Sequence, residues 1–152
     1  MEKITERIMK IEAFFDAYAK RFNDAIKGRA DVEGSVNAFA ESFIEAGPRG
    51  IVTGKNDAEF KKAIPKGYEY YKSIGTTAMH IMAKNITLLD ALHSITQIGW
   101  KADYEKQDGT KTEIEFDVFY LIQEKMGQLK IFAYITGDEE KVLNDKGLVP
   151  YK

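Results

Sequence analysis

The feature that most constrains the fold is a predicted β-hairpin near the end of the chain, Thr112–Thr136. Two runs rich in β-branched and aromatic residues flank a short loop that contains Gly127. Glycine supplies the positive φ that such a loop requires. Within the first run, Phe116–Ile122 is apolar on both faces apart from one aspartate. We therefore expect something to cover each side of the sheet there.

The length of this loop decides which side chains share a face. A three-residue loop with a bulge places Tyr120 on the same side as Phe132 and Tyr134. A two-residue loop places Tyr120 with Ile131 and Ala133 instead. The sequence leaves both registers open.

An amphipathic helix is predicted at the start of the chain. Apolar residues recur from Ile4 to Ile26 at alternating spacings of four and three, and charged residues fall elsewhere on the helical wheel. Such a helix needs a partner surface, so we expect it to pack on a sheet. Gly28 is predicted to end this helix, and Asp31 is predicted to cap a second helix that extends to Phe43.

The middle of the chain predicts less regular structure and a third helix. Residues 46–54 indicate a turn and a short extended piece. Asn56, with Glu59 three residues later, resembles a capping box that opens a helix running toward Gly75. Pro65 predicts a kink or two short helices.

After Gly75 the period becomes strand-like, in four runs near 76–88, 92–106, 113–124 and 128–136. Their short connections predict antiparallel neighbours. Asp138 can then cap a short final helix that extends to Asn144. These elements together indicate an α+β fold, with the first helix on the concave face of the sheet.

Composition excludes several classes of function. The 152 residues fit one domain, and a net charge of -2 gives no large positive field for nucleic acid or an anionic membrane. There is no cysteine, which removes thiolate catalysis and zinc–thiolate sites. The longest apolar run has five residues, so we expect a soluble cytoplasmic protein without a membrane partner.

Motifs for metals and cofactors are absent from the sequence. The two histidines, His80 and His93, lie thirteen residues apart without a local carboxylate pattern, whereas a catalytic metal centre usually has three protein ligands. No glycine-rich phosphate loop and no Gly-x-Ser-x-Gly nucleophile elbow occurs. We therefore predict no metal and no cofactor.

The order of three helices and a four-stranded meander resembles the nuclear transport factor 2-like superfamily, with its SnoaL-like and ketosteroid-isomerase-like members. The residues that carry the resemblance are Glu41–Pro48, Gly54, Ile98–Trp100 and Tyr120–Ile131. It implies one domain over 1–152, in which a curved antiparallel sheet of four long strands plus short strands wraps around three N-terminal helices as a cystatin-like cone. It also implies an internal apolar pocket and, often, a dimer through the outer face of the sheet.

The resemblance does not imply a single function. Isomerase-like relatives carry an acidic general base on the first short strand, where this chain offers only Glu45, displaced from the expected position. Dehydratase-like relatives pair a histidine with an aspartate inside the cone, and the sequence does not decide which pair would serve. The candidates for that pair are His80, His93, Asp90, Asp103 and Asp117.

The leading hypothesis is a domain that binds a small hydrophobic molecule in an internal pocket. The predicted lining is Tyr18, Phe22, Glu45, His80, Trp100, Tyr120 and Tyr134. The first alternative is an isomerase-like or dehydratase-like enzyme that transfers a proton on a carbonyl compound, with Glu45 or His80 as base. His80 also fits a hydrogen-bonded histidine of the core or pocket wall. Tyr68, Tyr70 and Tyr71 fit either a cavity wall or helix packing.

The second alternative is a non-catalytic dimeric interaction module. The apolar stretch Val118–Ile122, beside Phe132 and Tyr134, is more than one layer of helices can cover. An exposed patch of that size is unfavourable on a monomer. The sequence therefore predicts a homodimer.

Overall fold

A computed structural model describes residues 3–148 and shows an α+β fold in which helices cover one face of a six-stranded sheet. In chain order the elements are α1 (Ile4–Ile26), α2 (Val32–Asn37), β1 (Phe39–Gly47), β2 (Gly50–Lys55), α3 (Ala58–Ser73), β3 (Thr76–Leu88), β4 (His93–Glu105), β5 (Lys111–Lys125), β6 (Gln128–Thr136) and α4 (Glu139–Asp145).

The sheet has the strand order β2-β1-β6-β5-β4-β3. Every neighbouring pair is antiparallel except β1 and β6, which run parallel. The four long runs of the sequence are β3 to β6, joined as an antiparallel meander. The predicted α+β cone is confirmed.

Helix α1 packs on the inner face of the meander, as its apolar stripe predicts. Phe15 is fully buried, and its ring centroid lies 4.9 Å from that of Tyr120 on β5. The Asn23 side-chain amide donates to the Met79 carbonyl at 2.9 Å, and its oxygen accepts from the Met79 N–H at 2.8 Å. Asn23 thus satisfies both main-chain groups of one β3 residue and fixes the helix against this strand.

The predicted second helix is too long. It ends at Asn37, and Phe39–Gly47 forms strand β1 instead. The apolar residues Phe39 and Phe43 stand four apart, a spacing that places two side chains on one face of a helix or of a strand. Their ring centroids lie 5.2 Å apart. The sequence pattern therefore correctly predicted that the two side chains share a face, but it assigned them to a helix instead of a strand.

Residues 46–54 are also more regular than predicted, since most of them belong to the β1–β2 hairpin. Gly47 pairs with Gly50 around the turn, and Gly50 has a φ of 119°. Gly54 faces Phe43 across the hairpin, where an added Cβ would lie 2.5 Å from the Phe43 ring. Only glycine lets that ring lie flat on the neighbouring strand.

Helix α3 is continuous through Pro65, so the predicted division into two short helices is wrong. The proline has no N–H to donate to the Lys61 carbonyl. Both residues lie on the exposed side of the helix, where water can donate to this carbonyl instead. Its N-cap is Asp57, which accepts from the Phe60 N–H, rather than Asn56. The side chain of Asn56 instead donates to the Val36 carbonyl.

Four other predicted helix boundaries agree with the structure. Gly28 and Gly75 follow the ends of α1 and α3 with φ of 89° and 93°. Asp31 caps α2 by accepting from the Gly34 N–H, and Asp138 caps α4 by accepting from the Lys141 N–H.

The register of the β5–β6 hairpin combines the two predicted alternatives. The loop has two residues, Met126 and Gly127, with φ of 54° and 78°. A bulge at Phe132 then shifts the pairing by one residue. Tyr120 consequently lies opposite Tyr134, as a three-residue loop would have placed it.

The two faces of β5 differ in what covers them. Val118, Tyr120 and Ile122 point toward the helices and are buried. Phe119 points to the outer face of the sheet and is 38% exposed. Helices cover only the inner face of the sheet. Within a single chain, the expectation that both faces of the sheet are covered is therefore not met. Within residues 3–148, no helix has both the length and the apolar character needed to cross a membrane.

Candidate functional site

A cavity of about 390 Å³ lies between the inner face of the sheet, α1 and α3, and reaches the first residue of α4. It is open to the surface and not fully enclosed. Six of the seven residues predicted to line a pocket surround it: Tyr18, Phe22, Glu45, Trp100, Tyr120 and Tyr134.

The seventh predicted residue, His80, lies outside the cavity. Met79 points inward and is buried, so the alternation of the strand turns His80 to the outer face, where its side chain is 46% exposed. Its Nε2 is 2.7 Å from Asp103 Oδ2. The expectation that His80 lies in the core or pocket wall is therefore wrong.

The other histidine also pairs at the surface. His93 Nδ1 lies 2.9 Å from Asp90 Oδ1, and its Nε2 lies 3.1 Å from the Gln123 amide nitrogen. Neither His80 nor His93 contributes to the cavity lining. The structure thus pairs each histidine with an aspartate, but on the surface and not inside the cone.

A buried hydrogen bond and packed aromatic rings form the back wall of the cavity. The Trp100 indole N–H on β4 donates to the Tyr120 hydroxyl on β5 at 3.1 Å, in a buried position. The ring of Tyr18 on α1 lies against that of Tyr120, with the two centroids 5.9 Å apart. Burial raises the pKa of Tyr18 to about 12 and raises the pKa of Tyr120 well above its usual value. Both phenols are neutral hydrogen-bond donors near pH 7.

Two carboxyl groups face the same cavity. Glu45 lies opposite Tyr134 in the β1–β6 pairing, at the exposed rim. Burial, together with the negative charge of Glu45, raises the pKa of Tyr134 above its usual range. Glu139, the first residue of α4, accepts from the Tyr71 hydroxyl at 3.4 Å. Burial raises the pKa of Glu139.

The helices contribute lining residues that the sequence analysis did not select. Tyr68 and Tyr71 of α3 line the cavity, while Tyr70 is exposed, so only two of these three tyrosines are wall residues. Arg21 also lines it, with its guanidinium carbon 6.0 Å from the centre of the Tyr18 ring. The spacing of three between Tyr68 and Tyr71 was the available signal, because it puts both on one helix face.

The arrangement limits the chemistry that the two candidate bases could share. Glu45 is on β1 and His80 on β3, four strand spacings apart, or roughly 19 Å along the sheet. They also point to opposite faces, so no mechanism can use both. Within residues 3–148, no three His, Asp or Glu side chains converge as metal ligands would.

Comparison with solved structures shows the same fold at low sequence identity. Aln2 from a Streptomyces species matches with a TM-score of 0.64 and 13% identity, covering 95% of this chain and 99% of that one. A ketosteroid isomerase-like protein from Erwinia carotovora atroseptica matches with a TM-score of 0.59 and 18% identity, covering 84% and 92%. A nuclear transport factor 2-like superfamily protein from Salmonella enterica serovar Typhimurium matches with a TM-score of 0.60 and 13% identity, covering 84% and 87%.

Comparison of sequences identifies the family more directly than the fold does. No protein with a curated description matches this chain significantly. The family model described as NTF2-like protein (DUF6841) matches residues 5–139, which is most of the chain. The protein therefore belongs to this NTF2-like family.

Proposed function

We propose that the domain binds a small hydrophobic molecule in the cavity between the sheet and the helices. The observation that carries this proposal is a cavity of about 390 Å³ with aromatic walls onto which a few polar groups converge. Sites for small molecules have this size and this mixture of apolar surface with few placed polar groups. A cavity of this kind in a core that served packing alone would cost stability.

The only tryptophan of the chain, Trp100, lines the cavity and gives a direct assay. A bound molecule should change the intensity or wavelength of its fluorescence in a saturable titration against a panel of hydrophobic ketones, alcohols, amines and acids. A ligand at a hundred times its dissociation constant should also add about 2.7 kcal/mol of stability. For a domain of this size that is an increase in melting temperature of about 5–11 °C.

A matched pair of variants separates the cavity from the surface. Ala63→Phe puts a ring into the cavity from α3, whereas Lys62→Phe adds the same ring one residue away, outside the lining. We expect Ala63→Phe to weaken binding at least tenfold and Lys62→Phe to leave it unchanged. Equal effects of the two variants, or a panel in which no compound changes the fluorescence or the melting temperature, would refute the proposal.

A second candidate function is proton transfer on a carbonyl compound, because Glu45 faces the same cavity as the donors Tyr18 and Tyr120. In this mechanism Glu45 would take the proton and a phenol would stabilise the developing oxyanion. Turnover of a model ketone should then fall at least about a hundredfold in Glu45→Gln. A retained rate in that variant would exclude the mechanism. His80→Ala, which changes a residue outside the cavity, is the control.

We also propose that the outer face of the sheet forms a homodimer interface. Ile44, Ile51, Phe119 and Ile135 are adjacent on that face across β2, β1, β6 and β5, and all are exposed. Contiguous exposed apolar surface of this kind marks interaction sites. Sedimentation at tens of micromolar should give a dimer that Phe119→Glu dissociates, and a monomeric wild-type protein would contradict the proposal.

An interaction module without a ligand would show the dimer but no response of Trp100 in the ligand panel. The single domain over 1–152, the cytoplasmic location and the absence of a nucleic-acid partner stay predictions from the sequence.

A further inference from the structure

Helix α3 is the wall of the cavity that is held least firmly. None of its sixteen residues is buried. Its four half-buried side chains, Phe60, Ile64, Tyr68 and Tyr71, recur at spacings of four and three, and all of them line the cavity. The apolar face of α3 is therefore turned onto the cavity and not onto a packed core. Because helices in proteins gain most of their stability from packing of this face, α3 lacks much of that contribution.

The inner wall of the cavity, on the sheet, is barely exposed. Trp100, Val118 and Tyr120 line the cavity and are only 3%, 6% and 5% exposed. These side chains belong to β4 and β5, which are paired with neighbouring strands on both sides. Helix α3 bounds the cavity opposite this wall. A molecule larger than water therefore gains contact with the inner wall when α3 moves away from the sheet.

The middle turn of α3 is the weakest part of the helix. Pro65 has no N–H to donate to the Lys61 carbonyl, and Gly67 follows two residues later. Glycine is the least favourable helix residue after proline. An added Cβ at Gly67 would meet no atom within 4 Å, and Gly67 is not among the glycines with positive φ. Neither close packing nor a special backbone conformation requires glycine here, yet its presence lowers the stability of this turn.

Both ends of α3 are anchored to other elements. At the N-terminal end the Phe60 ring packs on Phe43 of β1, with the centroids 4.9 Å apart. At the C-terminal end Ile74 is buried, and the Glu105 N–H donates to the Gly75 carbonyl at 2.8 Å. A movement of the whole helix would break both anchors. A local unwinding of the middle turn keeps both of them.

One hydrogen bond joins the middle of α3 to the helix beside it. The hydroxyl of Tyr68, the residue after Gly67, lies 2.8 Å from the Ser35 hydroxyl of α2. Ser35 also donates to the Asp31 carbonyl at 3.1 Å. Its single proton is used in that bond, so Tyr68 is the donor to Ser35. This bond must break when the middle turn of α3 moves away from α2.

We infer that α3 is a gate of the cavity, which opens by local unwinding at Pro65–Gly67 and is held closed by the hydrogen bond between Tyr68 and Ser35. Segments with few buried contacts open at a lower free-energy cost than the whole domain unfolds. Gates of this kind set how fast a molecule enters and leaves a site. The use of the gate rests on the proposed binding function, but its movement takes place in the free protein as well.

Access to the inner wall can be measured without a ligand, because the sequence contains no cysteine. Val118→Cys places one thiol in the cavity lining. Ala102→Cys places one at a fully buried residue outside the lining, where reaction requires global unfolding. The reagent is the neutral aromatic disulfide 4,4′-dithiodipyridine, whose release of thiopyridone is followed by absorbance. We expect Val118→Cys to react at least tenfold faster than Ala102→Cys, with urea denaturation confirming that both are folded.

Variants in the Val118→Cys background test the two parts of the gate. Gly67→Ala should slow the reaction about fivefold, the factor that corresponds to about 1 kcal/mol of helix propensity. Lys66→Ala is the matched control and should change the rate less than twofold, because Lys66 is exposed, lies outside the lining and is a good helix former. Tyr68→Phe and Ser35→Ala should each speed the reaction at least twofold. The double variant should react no faster than either one, because all three remove the same bond.

Amide hydrogen exchange tests the gate in the protein without an added thiol, and so does not depend on the folding of Val118→Cys. After correction for intrinsic rates, the amides of residues 66–71 should exchange faster than those of β4. Gly67→Ala should slow exchange in this segment about fivefold, and Lys66→Ala should change it less than twofold.

Failure of the gate can be told apart from failure of the binding function. The gate is refuted if Val118→Cys reacts no faster than Ala102→Cys, or if Gly67→Ala slows neither the thiol reaction nor the exchange more than Lys66→Ala does. The cavity then remains a candidate binding site. An unchanged rate in Tyr68→Phe would overturn the role given to its bond with Ser35. If the gate is confirmed and no compound of the ligand panel binds, the binding function falls and the gate stands.

Discussion

Tyr120→Phe tests the hydrogen bond between Trp100 and Tyr120 in the cavity wall by removing a single oxygen atom. The ring, and with it the packing on Phe15 and Tyr18, is kept. What is lost is the acceptor for the N–H of Trp100, a residue only 3% exposed. A buried donor left without a partner costs about 1–3 kcal/mol.

We therefore expect Tyr120→Phe to lower the free energy of unfolding by about 1–3 kcal/mol. Urea denaturation followed by circular dichroism is the appropriate measurement, since the substitution alters the surroundings of the only tryptophan. The slope of the transition should not change, because the surface exposed on unfolding is the same. The melting temperature should fall by about 2–4 °C per kcal/mol.

Two further variants show whether the loss comes from the bond to Trp100. Tyr70→Phe removes the hydroxyl of an exposed residue and should change stability by less than about 0.5 kcal/mol. A double-mutant cycle of Tyr120→Phe with Trp100→Phe should give an interaction energy of at least about 0.5 kcal/mol. The reasoning is refuted if Tyr120→Phe is no more destabilising than Tyr70→Phe, or if the cycle gives no interaction.

Three shorter predictions concern anchoring and pH. Asn23→Ala should cost about 1–3 kcal/mol in urea denaturation, because it leaves the Met79 N–H and carbonyl without their partner; an unchanged midpoint would contradict it. Burial raises the pKa of Tyr18 and of Tyr104 to about 12. Unfolded tyrosines ionise near pH 10, so the contribution of these two phenols to the free energy of unfolding should be constant below about pH 10 and fall from there toward pH 12, and a flat profile above pH 10 would refute this. The raised pKa of Glu139 likewise contributes stability at acidic pH that is lost as the pH rises through that pKa, so Glu139→Gln should remove this loss when the two proteins are compared across the pH range.

The long elements and the back wall of the cavity were predictable from the sequence because they depend on simple periods. The stripe from Ile4 to Ile26 repeats with the helical period, and the runs after Gly75 alternate with the period of a strand. Trp100 and Tyr120 fall on the alternating positions that these runs bury. Once α1 was placed on the inner face, Tyr18 and Phe22 followed from its stripe.

The errors arose where one local pattern fits two structures. Phe39 and Phe43 share a face in a helix and in a strand alike, and only the pairing of β1 with β2 and β6 decides between them. His80 stands in a run that is apolar on both sides, because Met82 is a large hydrophobic residue on the exposed surface. Alternation from Met79 would have turned His80 outward, but Met82 obscured that signal.

Other parts of the site depend on contacts between distant segments, which local patterns do not encode. Glu139 reaches the cavity because α4 begins directly after β6 and Tyr71 of α3 donates to its carboxyl, across 68 residues of sequence. The bulge at Phe132 sets Tyr120 opposite Tyr134, although no glycine or proline marks it. Asp138 was correctly predicted as the N-cap of α4. This prediction did not locate the side chain of Glu139, because a glutamate that follows an N-cap can face either solvent or the protein interior.

The two sides of the cavity differ in how firmly they are held, and this bears on how a ligand gains access. The back wall belongs to β4, β5 and β6, whose inner residues are buried and hydrogen-bonded to neighbouring strands. The opposite wall is α3, which has no buried residue along its sixteen positions. Regions with few buried contacts open at the lowest free-energy cost, so access to the cavity should be on the α3 side. Substitutions in the back wall should consequently change stability and binding together, whereas those at the α3 side chains that line the cavity should change binding with little loss of stability.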